Sequence, residues 1–141
     1  MSNAFDPNRP GHAAAIERMR TDIVAWLTTV APDGTPQTSV VCFLWDGETI
    51  LIYSEPDKPK MRNIAANPRI AFSLNTDPYG DHWVAIEGTA RVDEAAPASD
   101  EYPAWMAKHE EPYRHWGMDP HVVGQTWNVA VRITPTRVRV W

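Results

Sequence analysis

Ile50-Leu51-Ile52-Tyr53-Ser54-Glu55-Pro56-Asp57-Lys58-Pro59-Lys60-Met61-Arg62-Asn63-Ile64-Ala65-Ala66-Asn67-Pro68-Arg69-Ile70-Ala71 is the stretch on which the reading of this chain turns. Its first five residues are β-branched or aromatic apart from Leu51 and Ser54, which marks a strand. Glu55-Pro56-Asp57 breaks that strand. Pro59 suits a first helical position, Met61, Ile64 and Ala65 form an apolar stripe, and Asn67-Pro68 stops the helix, which is expected over 57–66. Lys58, Lys60 and Arg62 crowd the start of that helix. A helix N-terminus carries partial positive charge, so each cation there costs about 0.3–1 kcal/mol when exposed. A bound anion removes the conflict, because the free N–H groups and the dipole already favour it, and the Ser54 hydroxyl is placed to donate one more hydrogen bond. The alternative from the residues alone is a solvated basic turn balanced by Glu55 and Asp57.

Working outward, residues 23–30 and 37–45 read as strands separated by Pro32-Asp33-Gly34, and Asp46-Gly47 separates 37–45 from 50–54. Asp-Gly between apolar runs is a strong hairpin signal, so the first three strands are expected as an antiparallel meander. Strands follow over 69–75 and 82–92, then 127–133 and 136–140 on either side of Thr134-Pro135. Ile16, Met19 and Ile23 share one face of a helix expected over 13–22, and residues 1–10 are expected to be loose. Tyr102, Trp105 and Met106 point to another helix, with Pro103 in its first turn, and Asp119-Pro120 to a final short one. Six or seven short strands with small helices give an all-β barrel or an α+β class, since closure removes exposed edges. Parallel folds are disfavoured, because the first strands leave no room for crossover helices.

The chain has 141 residues and a mass of 15.9 kDa, which suits one domain: a tail and short helix over 1–22, then the barrel over 23–141. Its net charge of −5 argues against nucleic acid as a partner. No window resembles a membrane span or a signal-peptide core, and Cys42 has no disulfide mate, so the cytoplasm is the expected compartment. Cys42 lies mid-strand without a basic neighbour and reads as a packing residue. His109, Glu110, Glu111, His115 and His121 are polar and clustered, but their spacing matches no metal motif and Pro112 is expected to interrupt the helix between His109 and His115. No metal is expected. No glycine-rich nucleotide motif or nucleophile elbow occurs. The seven Trp are expected in the core or at an interface.

The stretch quoted first resembles the signature of the pyridoxamine-phosphate-oxidase-like split-barrel flavoproteins. Further segments extend the likeness in the same order: Leu27-Thr28-Thr29-Val30 with Asp33-Gly34-Thr35-Pro36, Ile86-Glu87-Gly88-Thr89-Ala90-Arg91-Val92, and Arg132-Ile133-Thr134-Pro135-Thr136-Arg137-Val138. The short length and the ending are most similar to the deazaflavin group, which uses coenzyme F-420. The resemblance implies a mainly β (α+β) homodimer built on a six-stranded antiparallel split β-barrel, with a flavin-type cofactor in each of two clefts between subunits. It implies an oxidoreductase that transfers hydride to or from a small molecule with F-420. The alternatives are an FMN-dependent reductase or oxidase and a non-catalytic carrier.

Carried over residue by residue, Ser54 matches the hydroxyl that holds the cofactor phosphate, Lys60 a phosphate- or flavin-contacting lysine, and Arg62 the next basic position. Pro59 departs from the arginine of the pyridoxamine oxidases, and Lys58 stands in for it. Gln37, Ser39 and Val41 alternate onto one face of the strand that runs beside the ring. The chain lacks the substrate-binding C-terminal arginine motif, which argues against vitamin B6 oxidation. No side chain is expected to act covalently, and Tyr53 or His82 is the candidate proton relay.

Overall fold

The computed structural model describes residues 4–141. In chain order the elements are α1 (His12–Thr21), β1 (Val24–Val30), β2 (Pro36–Cys42), β3 (Leu44–Trp45), β4 (Ile50–Ser54), α2 (Pro59–Ala66), β5 (Arg69–Ser73) and β6 (Val84–Val92). A 3₁₀ turn (Ser99–Glu101), α3 (Pro103–Trp116), α4 (Pro120–Thr126) and β7 (Val129–Val140) follow. All strand pairs are antiparallel, in the order β2-β1-β5-β6-β7-β4-β3. The two ends of that order, β2 and β3, are separated by Phe43 alone. One run of chain therefore supplies both margins of the sheet, and the sheet curls round a shared core.

This corrects the strand count from six to seven. The run expected as one strand over 37–45 breaks at Phe43, because β2 pairs with β1 while β3 pairs with β4. The two strands expected at the C-terminus are instead one, since β7 continues through Pro135. The ladder shifts register between Glu87 and Gly88, leaving Thr136 without a partner in the register; its hydroxyl donates to the Glu87 carbonyl at 3.1 Å. A bulge is where a strand tolerates a proline. Gly88 is needed there, because a Cβ would lie 2.6 Å from the Thr134 carbonyl oxygen.

The Asp46-Gly47 turn forms as expected. The Asp46 carboxylate accepts from the backbone N–H groups of Glu48 (2.9 Å) and Thr49 (2.7 Å), and Gly47 takes a φ of 101°. Inside the barrel, Leu27, Phe43, Ile50, Ile52, Phe72, Ile86, Val131 and Ile133 are almost wholly buried. Leu51, Tyr53 and Ala130 form a second cluster with Trp105 of α3. Hence β4 is buried on both faces, whereas β1 alternates. That explains the unbroken apolar run at 50–53.

Two further expectations change. The first three of residues 1–10 lie outside the described residues, and the remainder is not loose throughout: Phe5 is buried and its ring lies 5.1 Å from that of Trp45. Helix α3 runs through Pro112, which sits in its interior. The missing N–H costs the helix one bond to the Lys108 carbonyl, and burial of Trp105, His109 and Tyr113 on one face holds the turn.

Candidate functional site

Helix α2 starts without a side-chain cap and without an acid in its first turn. Lys58 pairs with Glu55 at 2.9 Å and remains half exposed. Arg62 donates through Nη1 to the Asp57 carbonyl at 3.1 Å. Lys60 is different: it is partly buried and, among the described residues, makes no ion pair or side-chain hydrogen bond. Burial, and then the neighbouring Lys58 charge, pushes its pKa below the ordinary lysine value, against the pull of Glu55. The conflict seen in the sequence thus concentrates on one side chain.

Ser54 is fully buried, and its hydroxyl donates to the Glu55 carbonyl at 2.8 Å. Gln37, Ser39 and Val41 do share one face of β2, and that face turns inward: Val41 joins the barrel core, and Gln37 Oε1 accepts from Asn63 Nδ2 at 3.2 Å. Asn63 also donates to Thr29 Oγ1 at 3.0 Å and is buried. It ties α2, the helix that carries Lys60, to β1 and β2. The sequence reading gave Asn63 no role, although a poor helix former in mid-helix is a signal for a side chain with work to do.

Of the residues singled out in the sequence for cofactor binding, Val41 and Lys60 line a cavity of about 320 Å³, whereas Gln37, Ser39, Ser54, Lys58 and Arg62 are not among its lining residues. The sheet contributes Val24, Val40, Val41, Cys42 and Tyr53, and α2 contributes Lys60. The far wall is Trp105, Tyr113 and Trp116 of α3, Val123 of α4, and the flanking Met118 and Trp127. Sequence reasoning placed these aromatics in a core or interface and did not see that they would face Lys60. Nothing local marks them, because α3 and β2 meet only in the folded chain.

Two titratable groups in the lining, Cys42 and Tyr53, hold their protons more firmly than usual. Burial raises the Cys42 thiol to about 11, against the pull of Lys108. Burial also raises the Tyr53 phenol to about 12, and its hydroxyl donates to the Pro97 carbonyl at 2.7 Å. His82 is not among the residues lining the cavity; its carbonyl accepts from Arg18. The polar residues 109–121 are dispersed: His109 is buried and stacked 4.1 Å from Trp105, while His121 Nδ1 lies 3.0 Å from Asp100 Oδ2. Among the described residues no three His, Cys, Asp or Glu are placed to hold a metal, and no helix is long and apolar enough to cross a membrane.

Lys60 beside an aromatic, largely apolar cavity can hold a molecule with an anionic group at one end and a flat ring at the other. Comparison with known proteins bears on that chemistry. No curated protein sequence matches the chain. Among solved structures, a conserved hypothetical protein from Mycobacterium tuberculosis is 27% identical, with a TM-score of 0.70 over 92% of this chain and 82% of that one. An F420 reductase is 26% identical, with a TM-score of 0.62 over 86% and 91%. A heme storage protein from Vibrio cholerae is 17% identical, with a TM-score of 0.64 over 90% and 92%, and shares the fold. A sequence model described as pyridoxamine 5'-phosphate oxidase matches residues 12–141, nearly the whole chain. The chain belongs to the pyridoxamine 5'-phosphate oxidase family.

Proposed function

We propose that the protein is an oxidoreductase that binds coenzyme F-420 or the related FMN and acts on a small molecule. The observation that carries this reading is Lys60, partly buried at the start of α2, in no ion pair among the described residues, and lining the aromatic cavity. A phosphate there would favour the charged amine, which burial and Lys58 disfavour. Lys60 is the donor that lines the cavity; Lys58, Arg62 and Ser54 lie outside its lining and join only by leaving Glu55, the Asp57 carbonyl and the Glu55 carbonyl. Likeness to an F420 reductase favours the deazaflavin over FMN.

When bound, the cofactor supplies the hydride chemistry. The chain's own residues bind and orient. Lys60, with Lys58 and Arg62, anchors the anionic end, while Trp116, Met118 and Val40 offer apolar contact and keep water from the ring. Gln37 and Ser39 act from within the barrel, Gln37 through its bond to Asn63. Two chains are proposed to share the site as a homodimer. Trp26 and Val40 are paired across β1 and β2 yet remain 42% and 51% exposed, an apolar face suited to a second copy. The cytoplasm is the proposed compartment, in keeping with a single cysteine, Cys42, that has no disulfide mate in the chain.

The test is fluorescence titration of the purified protein with FMN and, separately, with oxidised and reduced coenzyme F-420. Micromolar binding of one of them supports the reading and decides between the cofactors. Failure of both to bind overturns it. Tight binding without turnover across a panel of acceptors makes the protein a carrier.

A further inference from the structure

Away from that cavity, the N-terminal segment and the end of β7 enclose a groove of about 680 Å³ that shares no lining residue with it. In a chain of net charge −5 the groove is basic, with Arg9, Arg137 and Arg139 against a single acid, Asp6. Arg137 and Arg139 alternate along β7, so both leave the same face, while Val138 between them is buried. Arg137 has Glu87 at 3.7 Å, in an exposed pair of the kind that contributes little. Arg139 lies opposite Ala85 in the ladder, and neither it nor Arg9 has an ion pair or side-chain hydrogen bond among the described residues. Like charges gathered with so little to offset them repel one another, and a bound anion reverses that cost.

A buried histidine lines the same groove. His12, the first residue of α1, is 3% exposed, and its Nδ1 lies 3.2 Å from the backbone nitrogen of Asp6. A backbone N–H can only donate, so Nδ1 is the acceptor and the neutral ring carries its proton on Nε2. Burial, and then the nearby Arg9 charge, lower the pKa of the ring against the pull of Asp6, which keeps it neutral. The Nε2–H has no acceptor among the described residues. A buried donor without a partner is rare in native proteins and calls for an explanation. Helix α1 adds to the field, because it starts without a side-chain cap and without an acid in its first turn.

We propose that this groove binds the phosphate of a small organic phosphate monoester, held by Arg9, Arg137 and Arg139 and by the buried His12 Nε2–H. The dianion has three terminal oxygens to meet the guanidinium forks and the one neutral donor, more acceptors than a carboxylate offers. Trp83, half-buried in the same lining, gives the organic part a flat apolar surface. The site is separate from the one assigned to the cofactor and stands or falls without it.

The probe is phenyl phosphate, titrated into the full chain while NMR follows the two ring nitrogens of His12, assigned through their couplings to its backbone. The free protein is expected to show the Nε2–H form, and the Nε2 signal is expected to shift as the ester binds. Arg9→Ala combined with Arg139→Ala is expected to weaken that binding about tenfold or more, the loss of charge-assisted contacts. Both residues are exposed, so the fold is retained. Lys60→Ala removes the anion site proposed for the cofactor and is expected to leave the titration at His12 unchanged. An Nδ1–H ring, an Nε2 signal that does not move, or equal affinity in the double arginine variant overturns the proposal. Loss of the response in Lys60→Ala does the same, because the anion would then sit at α2. Inorganic phosphate is expected to bind more weakly than the ester; equal or tighter binding assigns the groove to free phosphate and overturns the ester.

Discussion

Lys108 of α3 donates from Nζ to the carbonyl of Phe43 at 2.8 Å, with the ammonium 3.7 Å from the centre of the Phe43 ring. Phe43 is the one residue between β2 and β3, so its carbonyl sits where the chain passes from one margin of the sheet to the other. The lysine thus satisfies the backbone at the point where the chain turns from one margin of the sheet to the other, and it joins α3, which carries the aromatic wall of the cavity, to that point.

Burial lowers the Lys108 amine to about 8, against the pull of Asp22 and Cys42, whereas the unfolded chain holds the proton to about 10.5. Between those values the unfolded state binds more protons, so this group makes stability rise with pH across that window. Lys108→Met should flatten the rise. At the alkaline end, where the wild-type amine is neutral, the variant should be less stable by about 1–3 kcal/mol, the cost of an unpaired buried carbonyl. As pH falls to about 8 the difference should narrow, because the wild type then buries a charge. Urea unfolding at a series of pH values measures both.

Lys60→Ala should weaken cofactor binding about tenfold or more while leaving circular dichroism unchanged, since it removes one charge-assisted contact. Because burial and Lys58 lower the Lys60 pKa, affinity for an anionic cofactor should fall as pH rises through a range below that of an ordinary lysine. The variant should lose that part of the pH profile. Unchanged affinity in Lys60→Ala would remove the proposed anion site.

Asn63→Ala should cost about 1–3 kcal/mol in chemical denaturation, because Thr29 Oγ1, in a residue only 1% exposed, loses its donor and Gln37 loses its tether. Cofactor affinity should fall with it, since α2 is no longer held on β1 and β2. If stability drops and affinity does not, Asn63 is a structural residue with no part in placing Lys60.

Cys42 should react slowly with a thiol reagent in the native protein at pH 8 and rapidly in guanidinium chloride, because burial raises its pKa to about 11. Cys42→Ala should leave turnover unchanged. Loss of turnover with fold and cofactor affinity intact would make the thiol a chemical participant.

The sequence by itself determined the order of most elements and the anomaly at the start of α2. Hairpin turns, proline starts and Asn-Pro stops act within a few residues, so Asp46-Gly47 and the stretch from Lys58 to Pro68 are legible where they stand. The tertiary structure alone decided what depends on distant partners. The 37–45 run looks continuous, and only its two different neighbours, β1 and β4, break it at Phe43. Pro135 looks like a strand end until the register shift beside Gly88 gives it a place in β7. Three cations look alike in sequence; Glu55 and the Asp57 carbonyl occupy two of them, and burial singles out Lys60. The aromatic wall was the least legible part. Trp105, Tyr113 and Trp116 carry a helical pattern that any core helix shares, and they line a cavity only because α3 lands across the end of β2 and the face of β4.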